Sequence, residues 1–203
     1  MGSIDPNAEN KVYISSAGDT NDINSVSTGG LLVVENDQVT TFYNHKNSTL
    51  EDIVPNEPNR VTIRVSGTAF DRQGNLWVSS INFNQELKKL SSTGVWSSFD
   101  LSSLKSNVNS LGISEMDVDR SNTVWIGTRG NGVYVFNENG NRKARLISTP
   151  NQGNLPDLQV FSVAVDTSSR VWIGTSRGLV VFRGTSSVFD ATVLNAQPVV
   201  IEE

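Results

Sequence analysis

Three segments of this chain are near copies of one another. "NLWVSS" places Trp77, "TVWIGT" places Trp125 and "RVWIGT" places Trp172, at spacings of 48 and 47 residues. Six residues before each tryptophan stands an aspartate, Asp71, Asp119 or Asp166, with turn formers between ("DRQGN", "DRSNT", "DTSSR"). An aspartate at such a corner accepts backbone N–H groups two residues on and fixes a hairpin turn. The segments ahead of it, "IRVSGTAF", "LGISEMDV" and "VFSVAV", alternate with period two, as strands do. "RGNGVYVF" and "SRGLVVF" supply the next strand after a glycine-marked corner, and "KARLIS" and "SVFDATVL" a weaker fourth. Four short antiparallel strands every ~47 residues cannot bury both their faces alone. They must stack on their neighbours, as the blades of a β-propeller do.

The N-terminal part carries the pattern in degraded form. "NAENKVYISS" overlays on "DRQGNLWVSS", with Asn7 for the aspartate and Tyr13 for the tryptophan, and "GGLLVVENDQVTTFY" supplies two further strands. Tyr13 to Trp77 is 64 residues, about 17 more than the repeat, and the excess falls in the polar, proline-containing "NHKNSTLEDIVPNEPN", expected to be a surface loop. The expected fold is therefore all-β, a β-propeller fragment of about four four-stranded antiparallel blades. Its parts are a partial first blade lacking its inner strand plus the insertion (1–59), a blade over 60–106, a blade over 107–157, and a blade with the start of the next hairpin over 158–203. All belong to one propeller domain.

Composition narrows the partners. Charged residues are 18% of the 203, the formal net charge is −5 and cysteine is absent. A nucleic-acid partner is not expected of an acidic chain, and disulfides and thiolate metal sites are excluded. No apolar run approaches the ~20 residues that span a bilayer. "MGS" reads as a cloning remnant ahead of a sequence that starts inside a longer natural chain.

"FDRQGNLWVSS", "VDRSNTVWIGTRGNGVYVF" and "VDTSSRVWIGTSRGLVVF" resemble two-component-regulator propeller repeats, which build the periplasmic sensor halves of hybrid two-component systems in Bacteroidetes. "GNLPDLQVFSVAVDTSSRVWIGTSRGLVVF" and "AQPVVIEE" are similar to the later propeller region of the PorZ family of the type IX secretion system. The resemblance implies a periplasmic or cell-surface protein with two seven-bladed propellers and a small C-terminal β-domain. It implies a non-catalytic scaffold in an attachment complex, with secretion-complex proteins and anionic lipopolysaccharide as partners. The sensor reading implies an oligosaccharide ligand instead.

Candidate residues divide into those that recur and those that do not. Trp77, Trp125 and Trp172 hold the same place in every copy, which favours packing between sheets over stacking on a sugar. Asp71, Asp119 and Asp166 are expected as turn caps in preference to Ca²⁺ ligands or acid–base catalysts. Gly127, Gly130 and Gly132 precede a β-branched strand, not the helix that a phosphate loop needs. Trp96 falls outside the register, is expected on an outer strand and, of the four tryptophans, is the first candidate for exposure. Glu115, Asp117 and Asp119 would line the central channel as a solvated wall, with a cation site as the alternative. His45, the only histidine, is expected exposed in the insertion. Binding candidates are Arg129, Asn131 and Arg177, at corners after the tryptophan strands, and Arg142, Lys143 and Arg145 of "RKAR", suited to an anionic glycan. No cofactor, metal or catalytic constellation is expected. Open blade edges suggest self-association.

Overall fold

The computed structural model describes residues 2–17, 29–56, 61–81, 85–106 and 112–200. The protein is all-β and divides into two compact units, Met1–Ser102 and Ser103–Glu203. Each unit holds two four-stranded antiparallel sheets.

In the first unit, β1 (Gly2–Ile4), β2 (Lys11–Ala17), β3 (Gly29–Glu35) and β4 (Gln38–Tyr43) pair in chain order. So do β5 (Val65–Phe70), β6 (Leu76–Ser80), β7 (Leu87–Leu90) and β8 (Trp96–Phe99). The β3–β4 hairpin turns on Asn36 and Asp37, both at positive φ (50° and 61°), the type I′ geometry that matches strand twist. Alternation sorts the side chains by face. Tyr13, Leu31 and Val33 of the first sheet meet Val65, Leu76, Val78 and Leu90 of the second in one core. Trp77, one residue out of phase with Leu76 and Val78, points to the opposite face.

The opening residues depart from expectation. Gly2, Ser3 and Ile4 pair with Ile14, Tyr13 and Val12, so this sheet has its inner strand. Ser3 Oγ also bonds Thr68 of the neighbouring sheet. The insertion is not simply a surface loop: Leu50 is in the core. Asp52 accepts the N–H groups of Val54 and Thr62. Lys88, with its side chain fully buried, donates to Glu51 at 2.6 Å. A buried ammonium requires a carboxylate partner, and that requirement draws part of a polar segment inward.

In the second unit, β9 (Ile113–Val118), β10 (Thr123–Thr128), β11 (Val133–Asn137) and β12 (Arg142–Leu146) form one sheet. β13 (Gln152–Gly153) makes a short parallel pair with β17 (Leu194–Asn195). β14 (Val160–Val165), β15 (Val171–Thr175), β16 (Gly178–Phe182) and β18 (Gln197–Pro198) form the other sheet. Trp125, Val133 and Val135 pack on Val160, Val163, Val171, Val180 and Phe182. The fourth strand here is Gln197–Pro198, not "SVFDATVL". That segment has no alternation, and the residues before it form a 3₁₀ turn over Thr185–Ser187. Asp190 and Ala191 N–H groups return to the Ser187 carbonyl, and Val188 anchors the bend at 1% exposure. "AQPV" therefore completes this sheet and does not open the next hairpin; 201–203 lie outside the described residues.

Two glycines of "TVWIGTRGNGVYVF" have distinct jobs. A Cβ on Gly127 would stand 2.6 Å from Ser114 Oγ and 2.9 Å from Val160 Cγ1, so its absence lets the inner-strand bulge and the next sheet close in. Gly132 turns at φ 78° with its Cα against the Leu146 carbonyl, a conformation and an approach that a side chain would forbid.

Candidate functional site

The aspartates of the repeat do more than cap a turn. Asp71 Oδ1 accepts the N–H groups of Gln73 and Asn75, and its Oδ2 accepts the Trp77 indole N–H at 3.0 Å. Asp119 repeats this with Ser121, Thr123 and Trp125 (3.0 Å), and Asp166 with Ser168, Arg170 and Trp172 (2.9 Å). The turn residue three after each aspartate, Gly74, Asn122 or Ser169, has positive φ. The six-residue spacing therefore registers one ion against both its corner and its tryptophan. The aspartate–indole bond was not foreseen from sequence, although the fixed Asp–Trp spacing was its signal.

Burial differs between the copies. Trp77 and Trp125 are 1% and 0% exposed; Trp172 and Asp166 are half-buried. The Trp172 indole N–H and further N–H donors hold the Asp166 carboxyl far below the usual carboxylate range. In the first sheet Tyr13 takes the tryptophan place: it pairs with Ser3 as Trp77 pairs with Ala69. Asp5, not Asn7, takes the aspartate place. Its N–H bonds the Lys11 carbonyl and its Oδ1 accepts the Asn7 N–H. That corner is two residues longer, so the six-residue spacing of the repeat falls on Asn7 instead. Burial, then Asp5, pushes the Tyr13 hydroxyl up to about 12.

At the opposite end of the strands in the second unit, Arg129 and Arg177 flank one loop. Arg129 bridges Gln159, whose carbonyl accepts the Ser176 N–H. Arg177 pairs with Asp157 at 3.3 Å while its side chain stays 77% exposed. The N–H of Gln159, then Ser176, hold Asp157 below its ordinary pKa. Arg129 is exposed. Asn131 is not: it is 1% exposed, its N–H held by Thr128 Oγ1 and its Oδ1 by Ser106 Oγ. The corner turns its amide inward, away from any surface ligand.

The basic run splits across β12. Arg142 pairs with Asp190 at 2.5 Å and lies over the Phe189 ring at 4.6 Å. Arg145 donates to the Leu104 carbonyl, and Lys143 is half-buried. Alternation puts Arg142 on one face and Lys143 and Arg145 on the other, so the three do not form a single patch. Partners 48 and 41 residues away left no local signal.

Asp117 faces burial, which raises its pKa, and accepts the N–H groups of Val118 and Val165. Its oxygens thus tie β9 to β14. Among the described residues no group of three acidic, histidine or cysteine side chains is arranged to hold a metal ion. His45 is exposed, and Trp96 is half-buried on β8, edge-on to Tyr43 at 5.3 Å. No helix among the described residues is long and apolar enough to cross a membrane.

No protein-family model matches the chain, and no curated protein does. Solved structures do match. PorZ, an essential bacterial surface component of the type-IX secretion system of Porphyromonas gingivalis, aligns over 98% of this chain with a TM-score of 0.75 and 17% identity. Two extracellular domains assigned to hybrid two-component systems of B. thetaiotaomicron align over 91% and 97%, with TM-scores of 0.59 and 0.54 and identities of 22% and 19%. The chain spans 26% of the PorZ chain and 20% and 21% of the other two. At these identities the likeness is one of architecture: the protein is built from β-propeller blades of the kind found in PorZ and in these extracellular two-component-system domains.

Proposed function

We propose that the protein is a non-catalytic β-propeller binding module of a PorZ-like type IX secretion attachment complex, acting at the periplasmic or outer surface. The observation that carries this is the match to PorZ over 98% of the chain. The exposed Arg129 and Arg177, beside the Asp157–Gln159 loop, are the side chains suited to an anionic glycan such as lipopolysaccharide. Recognition in such a fold belongs to loop residues that the repeat leaves free to vary. Lipopolysaccharide pull-down with the Arg129→Glu/Arg177→Glu pair tests the reading. Binding that falls at least tenfold, and weakens with salt, supports it; no binding to lipopolysaccharide or secretion partners sinks it.

A second reading is an oligosaccharide-sensing module, favoured by the two-component extracellular domains among the matches. A membrane-spanning segment and kinase domain in the same gene would decide for it. Self-association belongs to the proposal as well: Phe161 on β14 is 52% exposed. Light scattering that shows a strict monomer at high concentration would exclude it.

A further inference from the structure

The first sheet departs from the other three at the aspartate–tryptophan corner, and the departure leaves space. In the second unit the corresponding gap between sheets is closed by Trp125 and Phe182, 0% and 2% exposed, with ring centroids 5.6 Å apart. Strand register places Tyr13 where Trp125 stands, since each faces a valine, Val33 or Val135. It places Leu90 where Phe182 stands, opposite Leu76 as Phe182 is opposite Val171. A phenol replaces an indole and an aliphatic side chain replaces a ring, while Phe70 stands where the second unit has Val165, opposite Leu76 as Val165 is opposite Val171. What remains is a cavity of about 230 Å³ lined by Asp5, Asn7, Tyr13, Phe70, Gly74 and Leu90 among others.

Its polar end is equally distinctive. In the other three corners the second carboxylate oxygen holds an indole N–H. Among the described residues Asp5 accepts the Asn7 N–H on Oδ1, and its Oδ2 accepts no donor. The Tyr13 and Phe70 rings meet edge-on at 5.5 Å and form an apolar wall. Lys11 Nζ sits 5.7 Å from the Tyr13 ring centre, which makes a cationic ligand a poor fit. One aromatic wall facing a lining that is otherwise mainly polar, with Asp5, Asn7, Lys11, Ser91 and Ser92, and a carboxylate oxygen that holds no protein donor suit a neutral flat ring with a donor at its edge.

We propose that this cavity binds a neutral planar aromatic ring bearing an N–H donor, of indole size, seated beside Tyr13 against the Tyr13–Phe70 wall, with its N–H on Asp5 Oδ2. The ring would come from a free small molecule or from a tryptophan side chain of a partner. The reading is independent of the lipopolysaccharide assignment, which rests on other residues.

Ligand-observed NMR on the full chain tests it, with indole, N-acetyltryptophanamide, indene and a hexose as probes. Saturable indole binding is expected, at least tenfold tighter than indene, which lacks the N–H. Tyr13→Trp fills the slot and supplies its own donor, so it abolishes indole binding while raising Tm. Asp5→Asn puts an N–H₂ group at the acceptor position and weakens indole about tenfold, which serves if Tyr13→Trp does not fold. Equal binding of indole and the acetylated amide points to a peptide source, and preference for indole to a free molecule; both uphold the site. The assignment is overturned by any of four results: no saturable indole binding up to millimolar, indene binding equally, binding unchanged in Tyr13→Trp, or the hexose bound in place of indole.

Discussion

Asp119 with Trp125 and Asp166 with Trp172 make the same hydrogen bonds in the same unit, at 3.0 and 2.9 Å to the indole. They differ in what surrounds them. Asp119 is 2% exposed and Trp125 0%, whereas Asp166 and Trp172 are half-buried and share Arg170, whose guanidinium bonds the carboxylate and lies over the indole. Identical local geometry therefore carries different energetic weight. A bond whose donor and acceptor are both withdrawn from water is costly to break, while one at the surface is readily replaced by solvent.

The largest expected effect tests that contrast directly. Trp125→Ala opens a cavity in the core and strands Asp119, at about 3–5 kcal/mol; Trp172→Ala is expected to cost about 1–2 kcal/mol, since part of its surface is already wet. Urea melts of the two variants measure the gap, and equal losses would break the comparison. Next comes Asp119→Ala, which leaves two turn N–H groups and the indole N–H without an acceptor, at about 3 kcal/mol. The matching Asp166→Ala should lose clearly less in the same melts.

The glycines extend the comparison to packing. Gly127→Ala drives a methyl into Ser114 Oγ, Val160 and Val163, all within 3.2 Å, and should cost about 1–3 kcal/mol. At Gly174 only Ser162 Oγ lies close, at 2.5 Å, with the next atom at 3.8 Å. The far end of one serine can rotate away, so Gly174→Ala should be the milder change. Thermal melts rank the pair.

The smallest effect is in acid. The Trp172 indole N–H, first among its donors, holds the folded Asp166 carboxyl below its ordinary value. The unfolded chain then takes up the proton first. This contribution is full above the ordinary Asp value of about 3.9 and is lost as pH falls further. Asp166→Asn should flatten that part of the Tm–pH curve between neutral and strongly acid solution. Asp117, raised by burial, acts with the opposite sign, so Asp117→Asn should steepen the acid loss. Parallel curves for all three proteins would contradict both assignments.

The legible and illegible parts of the molecule follow the range of the interactions. Spacing of Asp71, Asp119 and Asp166 from their tryptophans announces the hairpins, because a turn and its flanking strands are local. Asp5 was missed because a two-residue-longer corner shifts the pattern out of step. "SVFDATVL" reads as a strand by position, yet its outer-strand role passes to Gln197–Pro198, which reaches β16 only after a 3₁₀ turn. Arg142, Arg145 and Asn131 look alike as exposed polar residues of strands and corners. Asp190, Leu104 and Ser106 decide their fates from far along the chain.

The sequence by itself determined the repeat, its alternation and its corners, since period-two burial and an aspartate-capped turn depend on neighbours within a few residues. Only the tertiary structure decided which copies of the clasp are dry, which cations remain free and where a cavity survives. Those outcomes depend on which surfaces meet between sheets. At that range the outcome is set jointly by a residue and the one packed across the gap from it, Tyr13 with Leu90 or Trp125 with Phe182.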